Sequence, residues 1–151
     1  MTYSTNLPTV LQTVNLKLTD MQREKMTRLQ ATSLLAVMRD RIHVQGKDSN
    51  GSQIGTYTPA YIRVRNSKKY RRGTDSKVII SLTRQLEDGC HVEALTTGEI
   101  GYAITLRTQE DMQKARWCEQ TYKKPIFAPT AEERAMVMQI ADDFIAKHLH
   151  G

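Results

Sequence analysis

Long hydrophobic runs are missing from this chain. The longest uninterrupted apolar stretch is Leu34 to Met38, five residues, against the roughly 20 that a helix crossing a bilayer needs. No helical membrane span is therefore expected, and no membrane partner. Cysteine is scarce as well: Cys90 and Cys118 are the only two, too few for the disulfide framework of a small secreted domain. No apolar stretch follows Met1 and the first basic residue is Lys17, so no secretory signal is expected, and the reducing cytoplasm is the expected site of synthesis. With 151 residues, 39% hydrophobic and 25% charged, the composition fits one ordinary globular domain over 1–151 and excludes a wholly disordered or fibrous chain.

Familiar catalytic constellations are missing too. Of the four histidines only His148 and His150 form a close pair, which reads as a surface end of the chain. Cys90 and Cys118 show no CxxC or catalytic Cys-His spacing and read as buried or half-buried thiols. Asp48-Ser49-Asn50-Gly51 begins like a calcium loop. Its glycine comes too early, however, and Pro59 stands where the bidentate glutamate would be. The glycines and lysine of Gly46 to Gly51 lack the GK[ST] ending of a phosphate-binding loop. Glu87 and Asp88 are neighbours at a turn, and adjacent strand positions face opposite ways, so they make a poor acid–base pair. No catalytic residue, metal ligand or cofactor is expected.

Positive charge is what the chain does have. Lysine and arginine number 22 against 16 acids, a net +6. Residues 63 to 72, RVRNSKKYRR, hold Arg63, Arg65, Lys68, Lys69, Arg71 and Arg72 and no acid, so these six cations equal the whole excess and the remainder of the chain is neutral. Like charges at this density favour a solvated excursion that a partner could order. Tyr57, Tyr61 and Tyr70 are interleaved with the cations, a combination of stacking surfaces and phosphate partners that single-strand binders use, so a small basic nucleic-acid-binding protein is one functional alternative.

The elements around this stretch can be read from periodicity and caps. Val14, Leu16 and Leu18 alternate with polar residues as in a short opening strand. Thr19 and Gln22 have capping-box spacing, predicting a helix to about Val44. Its apolar positions cover more than half the circumference, which either burial within one domain or a neighbouring subunit could explain. Lys77 to Leu82, Cys90 to Leu95 and Ile100 to Leu106 have strand chemistry, with turns at Asp88-Gly89 and Thr97-Gly98. Thr108 caps a helix to about Thr121, Lys124 to Phe127 is extended, and Thr130 with Glu133 opens a final helix. The expected fold is α+β: an antiparallel sheet of about four strands, packed by a long N-terminal helix and two C-terminal helices. A long basic loop, 46–76, is inserted between the first helix and the sheet.

The run Arg39 to Ile62, RDRIHVQGKDSNGSQIGTYTPAYI, resembles the phage virion morphogenesis and tail-completion family, small neck proteins that join tail to head. The matching features are Arg41-Ile42 at a helix end, the glycine-bearing polar turn Gly46 to Gly51, and Gly55, Tyr57, Thr58 and Tyr61 in a G-x-Y-[ST]-x-x-Y pattern. The basic stretch Arg65 to Gly73 and Leu82-Thr83-Arg84-Gln85-Leu86 follow, with Arg84 where the family has glycine. A Pro-Ile-Phe segment before a capped helix is also similar.

This resemblance implies a structural virion component of the tail-terminator type and not an enzyme. It would be assembled in the host cytoplasm and located at the neck or tail. It further implies a homo-oligomeric ring, a hexamer by preference, stacked between the head connector or stopper and the tail tube, with DNA passing through. The partner-binding candidates are Tyr57, Tyr61, Arg63, Arg65, Lys68, Lys69, Arg71 and Arg72, directed to an acidic protein rim in preference to DNA. The first helix supplies Leu34, Leu35 and Met38 as candidate subunit contacts.

Overall fold

Thr19 and Gln22 close the predicted cap. Thr19 Oγ1 accepts the Gln22 amide at 3.2 Å while Gln22 Oε1 accepts the Thr19 amide at 2.9 Å. Helix α1 follows over Asp20–His43. The structure, a computed structural model, describes residues 18–81 and 83–149. After α1 come α2 (Pro59–Arg65), α3 (Gln85–Gly89), β1 (Cys90–Ala94), β2 (Tyr102–Leu106), α4 (Gln109–Tyr122) and α5 (Ala131–Leu149). Thr108 caps α4 by accepting the Asp111 amide, and Thr130 with Glu133 forms the second reciprocal cap, at α5.

The α+β class stands, but the sheet of about four strands does not. Among the described residues it has two antiparallel strands, with Val92 opposite Ile104 and Cys90 opposite Leu106. The predicted opening strand lies, apart from the buried Leu18, outside the described residues. The stretch from Lys77 is not a strand. Only Lys77 makes a bridge, to Thr56, and Ile80 has φ 43°, a left-handed conformation that a β-branched residue rarely adopts and that breaks an extended run. Its amides bond to a loop instead of a strand: Val78 N donates to the Gly55 carbonyl at 3.1 Å and Ile79 N to Tyr57 Oη at 3.2 Å. Asp88-Gly89 is likewise the end of the short helix α3 and not a hairpin turn.

Helix α1 uses its wide apolar arc inside the chain. Leu34, Leu35 and Met38 pack with Ile104 of β2 and Val137 of α5, while Met26 meets Leu18 and Ala141. Buried Gln30 donates to the Val137 carbonyl at 2.8 Å in the same seam. The three candidate subunit contacts on this helix are thus corrected to core residues. They are buried against their own sheet and helix, and the exposed large apolar residues of α1 are Met21 and Leu29.

The glycine-bearing turn follows α1 because Arg41 and Gly46 hold it there. Arg41 Nη1 donates to the carbonyls of Lys47 and Ile126, each at 3.0 Å, and Nη2 to that of Ala128 at 3.0 Å. Gly46 has φ 66°, and a Cβ on it would lie 2.2 Å from the Val78 carbonyl oxygen. No other residue fits that position. The calcium-like segment is an Asx turn: buried Asp48 Oδ1 accepts the amides of Asn50 and Ser52 at 2.9 and 3.0 Å.

Candidate basic aromatic cleft

The G-x-Y-T-P-x-Y segment builds one wall of a surface cleft, and each of its residues has a local reason. Gly55 lets the Tyr122 ring approach to 3.2 Å of where a Cβ would stand. Tyr57 is buried and its hydroxyl accepts the Ile79 amide. Thr58 caps α2 by accepting the Tyr61 amide at 3.2 Å, with Pro59 at the first helical position, where its missing N–H costs nothing. Tyr61 is thereby held at the surface, its ring centroid 5.1 Å from that of Tyr57 and tilted by 56°.

Helix α4 supplies the opposite wall. Lys114, Trp117, Cys118, Thr121 and Tyr122 fall at helical spacing and all line the cleft, whose volume is about 410 Å³. Ile80, Ser81, Thr83, Arg84, Gln85 and Leu86 complete it. Among the described residues that line it there are two cations, Arg84 and Lys114, and no carboxylate. Each cation has an acid outside the cleft: Arg84 Nε is 3.6 Å from Glu87 and Lys114 Nζ is 2.7 Å from Glu110. Arg84 has φ 62°. It therefore adopts the left-handed geometry that the family's glycine would take without cost.

The six clustered cations divide into unlike groups. Arg63, Lys68, Lys69 and Arg71 are exposed and Arg72 is half-buried. Arg65 is 2% exposed and stacks on the Tyr57 ring, its guanidinium carbon 4.4 Å from the centroid. Its Nη1 is buried without a hydrogen-bond partner. Most of the stretch is solvated, as its charge suggests, but Arg65 ties it to the body. It continues α2 into a turn in which Arg71 N donates to the Ser67 carbonyl at 2.9 Å and Arg72 N to that of Arg65 at 2.8 Å. Burying one cation against an aromatic face fastens this turn to the body, which a count of charges cannot anticipate.

Of the partner-binding candidates, the structure brings Tyr57 and Tyr61 together at the cleft, sets Arg65 on the Tyr57 ring, and leaves Arg63, Lys68, Lys69 and Arg71 exposed. Sequence reasoning missed Trp117, Tyr122, Lys114 and Arg84. The first three had a legible signal in their common helical face, and the sole tryptophan of the chain is 56% exposed there. Burial pushes the Cys118 thiol up to about 11, so at neutral pH it is protonated and a poor nucleophile. Burial likewise pushes Tyr122 up to about 12. The arrangement therefore suits non-covalent recognition. Aromatic faces can enclose an apolar side chain, and cations above them can hold carboxylates.

Among the described residues no helix is long and apolar enough to cross a membrane, and no group of three metal-ligating side chains converges. No family model, curated protein or solved structure matches the chain.

Proposed function

We propose that this chain is a structural assembly component of a tailed-phage virion, a neck protein of the tail-completion or tail-terminator type. In this reading it forms a ring between the head connector and the tail tube. The observation that carries the proposal is that Arg39 to Ile62, the run with the family resemblance, folds as a working unit. Arg41 fixes the turn, Gly46 and Gly55 permit close approaches, and Thr58 with Pro59 presents Tyr61 at the head of a stretch with four exposed cations. A surface of that kind is suited to an acidic protein neighbour. A nonsense mutation in the encoding phage tests this function: filled heads and separate, unjoined tails are expected in electron micrographs of the lysate. Normal virions without the chain would remove the proposal.

The alternative, a basic nucleic-acid-binding protein, draws on the same exposed cations and Tyr61. Its signature is DNA affinity that falls steeply with salt and collapses when Arg63, Lys68, Lys69 and Arg71 are neutralised. Weak binding that these changes leave alone removes it.

A further inference from the structure

We infer that the cleft between α2 and α4 is a docking site for an acidic peptide segment of a partner protein, one that inserts an aliphatic or aromatic side chain between Tyr61 and Trp117 and sets carboxylates against Arg84 and Lys114. The inference rests on the reading that the basic surface meets an acidic protein, and it adds where and how. Three observations converge. A cleft of about 410 Å³ is large enough for one or two side chains, and the described residues lining it include four aromatics. Trp117, 56% exposed, and Tyr61 leave apolar surface in water that an anchor residue would cover.

Charge complementarity selects the chemistry. The described lining carries two cations and no acid. Behind the wall, Arg65 lies over the Tyr57 ring with Nη1 buried and, among the described residues, without a hydrogen-bond partner. A peptide fits better than a nucleic acid. Glu87 and Glu110, outside the cleft, stand beside Arg84 and Lys114, and a continuous run of phosphates would meet them as well. A peptide can place its carboxylates opposite the cations alone.

The test uses the full chain and its single tryptophan. The probe is a short peptide with one leucine flanked on both sides by glutamates, compared with an all-glutamate peptide and with oligothymidylate of matched charge. Saturable change in Trp117 emission with the leucine peptide is expected. Affinity should be about tenfold weaker for the all-glutamate peptide, and about tenfold weaker for the leucine peptide against the double variant Arg84→Gln, Lys114→Gln. Comparing the two peptides needs no altered protein, so misfolding of the variant cannot imitate the result. No emission change, equal affinity for the two peptides, or tighter binding of oligothymidylate would overturn the inference. If peptide binding fails while heads and tails still separate in the mutant phage, only the docking site falls. Binding with normal virions removes the neck function instead.

Discussion

Arg41 Nε donates to Glu133 Oε1 across 2.6 Å with both side chains buried, and the other carboxylate oxygen of Glu133 accepts the Thr130 amide at 2.8 Å. One carboxylate thus closes the cap of α5 and neutralises the cation at the end of α1. The remaining Arg41 donors go to three carbonyls on two different segments. The pair fixes the glycine turn, the 124–130 segment and both long helices relative to each other, so it sets the frame on which the cleft is built.

Removing one member leaves a buried charge without its partner. Arg41→Ala is expected to cost about 3–5 kcal/mol in urea denaturation. Arg41→Lys should lose at least about 2 kcal/mol, because an ammonium cannot reproduce the planar fork that reaches Glu133 and three carbonyls. The double variant with Glu133→Ala should cost less than the two single losses together.

Gly46 and Gly51 both have positive φ, 66° and 79°, but they differ in surroundings. A Cβ at Gly46 meets the Val78 carbonyl and one at Gly51 meets nothing within 4 Å. Gly51→Ala should therefore cost only the backbone strain, about 1 kcal/mol. Gly46→Ala adds a clash with main chain and should cost more than about 2 kcal/mol, read from thermal melts of both variants.

Burial holds the His43 imidazole below its ordinary pKa, against the raising effects of its hydrogen bond to the Ile80 carbonyl and of Glu87; nearby Arg39 acts with burial. In the folded protein His43 stays neutral where the unfolded chain has already taken up a proton. Stability should be level with respect to this group above about pH 6.5 and should fall as the pH drops below it toward the lowered folded value. Urea midpoints between pH 5 and 8, compared with His43→Gln, isolate this slope; an equal slope in both proteins would remove His43 as its source.

Arg84 occupies left-handed backbone beside the cleft. Arg84→Gly relaxes that strain and removes only a long, partly exposed ion pair, so a gain of about 0.5–1 kcal/mol is expected. Affinity for the leucine–glutamate peptide should fall in the same variant, the mark of a strained residue kept for contact.

Caps and helical periodicity were the most legible part of the sequence, since Thr19, Thr108 and Thr130 act within one turn of their own helices. The sheet was less so. Val78, Ile79 and Ile80 have strand chemistry, yet the left-handed Ile80 and the carbonyl of Gly55 make them a loop packed on a loop, and that pairing depends on residues distant in sequence. At the cleft, Tyr57 and Tyr61 were visible by their spacing. The burial of Arg65 against the Tyr57 ring was not, because charge patterning treats every cation in a run alike.

The claim that this is a ring-forming neck protein is tested most directly by mass photometry of the purified chain, alone and mixed with the tail-tube and connector proteins of the same phage. A species of sixfold monomer mass, appearing alone or with a partner and lost when Arg63, Lys68, Lys69 and Arg71 are neutralised, is the predicted result. A chain that stays monomeric at every concentration and ignores both partners would contradict the account.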